Sequence, residues 1–261
     1  MENPTLVISD PPHAEEGEID LERVTELLGL DVYLTRLKIK FKAPEILSWS
    51  EPDEAVAFAA DLRAAGLSVS VQDGHEMGDP AWPAPVATLD LDESGLRATT
   101  REDVVTIGAE EEVFGVYCRP PADFKRDPSV DPRQALASGH GPTIAEAIQW
   151  MGILDLYTRS GGSLTRVTIV PQLLGLEPDE VLKEVTRRLR RLDLDRRLEG
   201  VLPRGRFVMG DSGFDADQRK RYSFGTLLLC QVLESIDPEL RNITHYEYAS
   251  RLAYAMGSMS L

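Results

Sequence analysis

The feature that most restricts the fold is the alternation of helix and strand signals across residues 24–72, VTELLGLDVYLTRLKIKFKAPEILSWSEPDEAVAFAADLRAAGLSVSVQ. Ahead of it, residues 5–9 (TLVIS) form a β-branched run ended by Asp10, Pro11 and Pro12, which reads as a strand and a break. Leu21, Val24, Leu27 and Leu28 then recur at helical spacing, and Gly29 supplies a left-handed stop. Asp31 is placed to cap a second helix carrying Val32, Leu34 and Leu37, whose end near Phe41 is ambiguous between helix and strand. Pro44 breaks that element. Residues 45–49 read as a strand, 54–65 as a helix stopped by Gly66, and 67–71 (LSVSV) as an alternating strand. The expected order is β-α-α-β-α-β.

That order, with VTELLGL, a second helix opening DVYLTRL, a turn containing proline and then SEPDEAVAFAADLRAAGLSVSV, resembles the C-terminal domain of the ribosomal stalk protein L7/L12. The ClpS-type protease adaptors share that fold. The resemblance implies that residues 1–74 are a protein-binding module. The stalk domain recruits its partners with a Lys-rich helix pair. Here residues 32–36 (VYLTR) are only weakly basic, so the resemblance implies binding without naming the ligand.

Residues 75–85 have the Gly, Asp and Pro content of a linker, and a β-rich region over 86–200 follows. Segments 86–91 and 96–99 flank Asp92, Glu93, Ser94 and Gly95, a hairpin signal with glycine where a positive φ is needed. Further strands are expected at 103–108, 113–118, 148–158 and 164–170, with a proline-rich insertion over 119–142. Residues 179–192 read as an amphipathic helix with Val181, Leu182, Val185, Leu189 and Leu192 on one face. Antiparallel strands closed by one such helix resemble a pleckstrin-homology-like domain in layout. Residues 201–261 are expected to form a helical C-terminal extension, with a short strand at 206–209 and helices at 223–236 and 243–256. The predicted class is α+β, with the extension completing the second domain's core or packing on another copy of the chain.

Composition narrows the function. The net charge of −16 argues against general binding to nucleic acid or anionic membrane, both polyanions. Between residues 183 and 221, however, 12 Lys and Arg face 7 Asp and Glu, so one local stretch is basic. Arg187, Arg188, Arg191, Arg196 and Arg197 in that stretch, together with Val32, Tyr33 and Arg36, are the candidate partner-binding residues. The basic stretch reads either as a solvated face or as a dock for an acidic protein surface. Cys118 and Cys230, far apart, make neither a disulfide framework nor a CxxC site, so a reducing, cytoplasmic setting is expected. Residues 1–12 lack the basic and long apolar stretches of a secretory signal, and no apolar run is long enough to span a bilayer.

Catalysis has weak support. Gly210, Asp211, Ser212 and Gly213 spell the tetrapeptide found around the nucleophile of trypsin-like proteases. A serine nucleophile needs a positioned base and an oxyanion hole. The four histidines, His13, His75, His140 and His245, lie in an acidic arm, the linker, the proline-rich loop and the tail. Asp211, Asp215 and Asp217 offer a hard cation some carboxylates but lack the rest of a calcium loop. The expectation is a non-catalytic adaptor or regulatory protein with no cofactor and no metal. The alternatives are a hydrolase at Ser212, a metal-dependent activity at the aspartates, and anionic-ligand binding through the basic helix.

Overall fold

The computed structural model describes residues 5–15, 17–40, 44–74, 86–100, 103–119, 152–160, 163–200, 206–208, 242–244, 250 and 254. They are mixed helix and sheet, an α+β chain, and fall into two compact units. Among them, no helix is long and apolar enough to cross a membrane.

The first unit runs β1 (Thr5–Ser9), α1 (Leu21–Leu28), α2 (Val32–Lys40), β2 (Glu45–Ser50), α3 (Pro52–Ala64) and β3 (Val69–Asp73). Its sheet has the order β2-β1-β3, with both neighbours antiparallel to the central strand. Local chemistry sets the helix ends. The Asp20 carboxylate accepts the Arg23 N–H, and Gly29 takes the left-handed conformation at φ 61°. Asp31 accepts the Leu34 N–H at 2.8 Å, which starts α2. Pro52 sits in the first turn of α3, where its missing N–H costs nothing, with Asp53 and Glu54 suiting the positive end. Ala55, Ala59 and Leu62 of α3 pack with Val7, Leu47 and Val24. The alanines let the helix backbone approach the sheet closely.

The roll of α2 differs from expectation. Val32, Leu34 and Leu37 do not form a buried face; Thr35 is the fully buried residue, and Ile39 packs partly against the core. The reason is angular. At a hundred or so degrees per residue, Leu34 and Leu37 lie on the side of the helix opposite Val32 and Ile39. The Thr35 hydroxyl satisfies itself by donating to the Asp31 carbonyl at 2.9 Å. Likewise, Val56 on α3 points outward instead of joining the packed face.

The second unit holds two sheets. β4 (Thr88–Asp92), β5 (Gly95–Thr99) and β6 (Val104–Gly108) form an antiparallel meander. β7 (Glu112–Arg119), β8 (Ile153–Ser160), β9 (Ser163–Ile169) and β10 (Arg191–Glu199) form a sheet ordered β10-β7-β8-β9. Between β9 and β10 run a 3-10 turn (Pro171–Leu174) and α4 (Pro178–Arg188). Val181, Leu182, Val185 and Leu189 pack against Leu96, Ile107, Val113, Leu156 and Val167 in one core.

Two expectations need correction here. The helix of 179–192 ends at Arg188, and residues 191–199 are a strand that the sequence reading lacks. The motif Leu192-Asp193-Leu194-Asp195 alternates with period two, the strand repeat, and both leucines pack on the core. Leu189, read as helical, already has extended backbone. β10 also pairs parallel to β7, so the unit is not purely antiparallel. Gly115 makes that pairing close: a Cβ there would stand 2.9 Å from Leu192 Cδ1 and 3.0 Å from Leu194 Cδ1.

In the extension, β11 (Arg206–Val208) pairs with β12 (Asn242–Thr244). The start of the helix expected over 243–256 is therefore strand, while Ser250 and Tyr254 are helical and buried. The described residues from 207 onward group with the first unit, not with the second unit's core. The expected linker of 75–85, most of the insertion of 119–142 and the helix of 223–236 lie outside the described residues.

Candidate functional site

Of the catalytic candidates, Ser212, Asp211, Asp215 and Asp217 lie outside the described residues, as do His75, His140 and His245. Among the described residues, no group of three or more His, Cys, Asp or Glu side chains could hold a metal ion. His13 has a structural position. Its Nδ1 accepts the Ser68 N–H at 3.2 Å, and its Nε2 lies 3.4 Å from the Ser9 hydroxyl. Burial lowers its pKa below the usual histidine value, against the opposing pull of Asp10. An imidazole that must accept at Nδ1 is held neutral, and here it ties the segment after β1 to the approach to β3.

A second polar group lies in the second unit. Asp155 accepts from Arg166 Nη2 at 2.8 Å and from the Thr168 hydroxyl at 2.6 Å, while the Arg166 guanidinium lies 5.3 Å from the centre of the Tyr157 ring. The ladder explains the meeting, since β8 and β9 pair Asp155 with Thr168 and Tyr157 with Arg166. All four side chains are buried. Such a set satisfies its own charges and holds two strands in register. The sequence signal was the cross-strand pairing of DLY with RVT, which becomes readable only once the hairpin register is known.

The basic candidates divide sharply. Arg187 and Arg188 both grip Glu184, Arg191 pairs with Glu112, Arg196 with Glu199 and Arg197 with Asp195. Arg190 pairs with Glu110. Hydrogen bonds from Arg187 and then Arg188 hold the Glu184 carboxyl at a pKa of about 2. Glu110, in the turn before β7, and Glu112, the first residue of β7, are far from Arg190 and Arg191 in sequence, so a local count could not foresee those two pairs. Among the described residues, the arginines from 187 to 197 are each paired with one of the chain's own carboxylates. Arg187 and Arg188 are on α4, whereas Arg191, Arg196 and Arg197 are on β10, so they do not share one helical face.

The α2 candidates behave otherwise. Tyr33 is 70% exposed and Leu37 49%, with Val32 and Leu34 nearly as open. Arg36 is exposed and forms no ion pair among the described residues. Tyr33, Arg36, Leu37 and Lys40 stand at i, i+3, i+4 and i+7, one stripe along the helix. The opposite flank is pinned by Lys38, whose ammonium donates to Glu45 on β2 at 2.7 Å. Beside the stripe, Ile19, Leu21, Arg36, Ile39 and Lys40 line a small cleft. This is the one place where the candidate residues combine apolar exposure with a cation that no carboxylate of the described residues engages.

Comparison with protein-family models, with curated proteins and with solved structures finds no match to this chain. The functional reading therefore rests on the site alone. Leu34 and Leu37, read from the sequence as helix-core residues, are exposed like Tyr33 and Arg36, and Val32 is exposed on another side of α2. The signal that could have placed them was the spread of α2's apolar residues around the whole helix.

Proposed function

We propose that this chain is a non-catalytic adaptor or regulatory protein that binds another protein through the α1–α2 pair. The observation that carries the reading is the exposed stripe of α2, with Tyr33 and Leu37 open beside Arg36. Contiguous apolar side chains held in water on a rigid helix cost free energy unless a partner covers them. The order β-α-α-β-α-β adds support, because it resembles the stalk L7/L12 and ClpS-like binding modules. For the second unit we retain the pleckstrin-homology-like layout as a reading, with β10 as an addition to it. The same reading puts the protein in the cytoplasm, supported by its two widely spaced cysteines.

The stripe suits an acidic amphipathic partner, whose apolar residues meet Tyr33 and Leu37 while a carboxylate meets Arg36. It competes with docking at the arginines of α4 and β10, and their ion pairs favour α2. The test compares two double variants for the proteins that co-purify with them. Tyr33→Ser with Leu37→Ser should lose a partner that Arg187→Glu with Arg188→Glu retains, both variants keeping the wild-type melting temperature. A partner kept by the α2 variant and lost by the α4 variant refutes the assignment.

A further inference from the structure

We infer that the element docked on α2 is itself a helix, amphipathic and acidic along one flank only, and that it comes from a different protein, not from a second copy of this chain. This rests on the docking reading of α2 and names the form of the partner. Among the described residues, four of the seven large apolar side chains that stand open belong to this one helix: Val32, Tyr33, Leu34 and Leu37. The other three lie singly on separate elements or turns, so only α2 presents a surface. At about a hundred degrees per residue, Tyr33 and Leu37 run along the middle of that surface, with Leu34 on one flank and Arg36 on the other. Thr35 is buried and Lys38 is tied to Glu45 at 2.7 Å, so the roll of the helix is fixed before anything docks.

The form of the occupant follows from what the surface offers it. The backbone groups along α2 bond one another within the helix, so an extended segment lying there would turn part of its own backbone from water with nothing to bond. A strand finds such bonds at a sheet edge. A helix arrives with its backbone already paired, and its residues three or four apart form ridges that seat beside the ridge of Tyr33 and Leu37. The second question is whose helix it is. α2 carries no Asp or Glu along its nine residues. Two copies meeting through α2 about a two-fold axis would set Arg36 against its own image when the helices run antiparallel, and against Leu34 when they run parallel. In both cases the guanidinium loses water and gains no carboxylate from the opposing helix. A foreign helix with Asp or Glu on the flank facing Arg36 supplies that acceptor, while its apolar face continues across Tyr33 and Leu37 to Leu34.

The experiment is a selection of random peptides of about sixteen residues, displayed on phage, against the full-length protein. Phage that also bind Tyr33→Ser with Leu37→Ser are removed first. The recovered sequences should carry apolar residues three and four apart, Asp or Glu on one flank, and no central proline. The most enriched peptide, synthesised with both ends capped, should shift the Tyr33, Arg36 and Leu37 amides of the isotope-labelled protein and gain helical circular dichroism on binding. A proline placed in its middle should weaken binding by about a hundredfold. Arg36→Gln should weaken it by about tenfold and leave the remaining spectrum in place. Apolar residues at every second position, a basic flank, no enrichment, or unchanged binding to Arg36→Gln each overturn the inference. So does self-association of the wild-type protein that disappears in Tyr33→Ser with Leu37→Ser. The docking reading fails separately, when a partner's co-purification survives that double variant. Selected peptides that need Tyr33 and Leu37 yet bind without gaining helix remove the helical partner and leave the docking face standing.

Discussion

The ion pair between Lys38 and Glu45 fixes which side of α2 faces solvent, and removing its charge should destabilise the first unit. The side chains are 14% and 4% exposed, and their atoms meet at 2.7 Å. Breaking a pair this buried by changing one partner costs about 3–5 kcal/mol, because the other charge stays desolvated. Glu45→Gln keeps an acceptor for the ammonium, so it belongs near the lower end, about 3 kcal/mol. That is a large part of the 5–15 kcal/mol that holds a typical domain together. The assay is native-state hydrogen exchange at the amides of Val7 and Ile46, in strands β1 and β2, which follows this unit without mixing in the other. Glu45→Gln should speed their exchange by about a hundredfold or more, at 1.4 kcal/mol per tenfold. The double variant Lys38→Met with Glu45→Leu removes both charges and should return to within about 1 kcal/mol of wild type. A cost below about 1 kcal/mol for Glu45→Gln, or a double variant no better than either single one, would refute the claim that a desolvated pair sets the roll of α2.

Two further predictions probe the frame around the site. His13 is favoured neutral in the folded state, so its stabilising effect is complete above the ordinary histidine pKa of 6.5 and is lost as the pH falls below it toward the lowered folded value. Corrected for intrinsic rates, protection of the Ser68 amide should fall between pH 7.5 and 5.5 in wild type and stay flat in His13→Gln; a flat wild-type profile contradicts the assignment. Gly95, at φ 133°, would bring an added Cβ to 2.1 Å from the Ile107 carbonyl oxygen. Gly95→Ala should therefore cost at least about 3 kcal/mol in urea unfolding of the second unit, and a cost below about 1 kcal/mol would show that the β4–β5–β6 meander is built differently.

The elements legible in the sequence were those whose signals are local. Gly29, Gly66 and Gly95 each adopt the positive φ that their positions implied, and Asp31 caps α2 through its own side chain. What escaped depended on partners distant in the chain. Residues 191 and 192 read as the end of a helix because Leu189 and Leu192 extend the helical spacing of α4, yet the pairing of β10 with β7 overrides that local preference. Arg190 and Arg191 read as part of a basic face because their partners Glu110 and Glu112 lie far back in the chain, before and at the start of β7. The candidate site followed the same rule in reverse. Tyr33 and Arg36 could be named from the sequence, but their openness could not. It depends on Lys38 reaching Glu45 and on Thr35 satisfying its hydroxyl within the helix. A buried polar pair on one side of α2 thus determines that an apolar stripe lies on the other. The same two contacts that keep Thr35 and Ile39 inward leave Leu37 without a place in the core. A protein that only needed to close its core would gain by turning Leu37 in and Lys38 out; keeping the reverse arrangement makes physical sense if the stripe meets a partner.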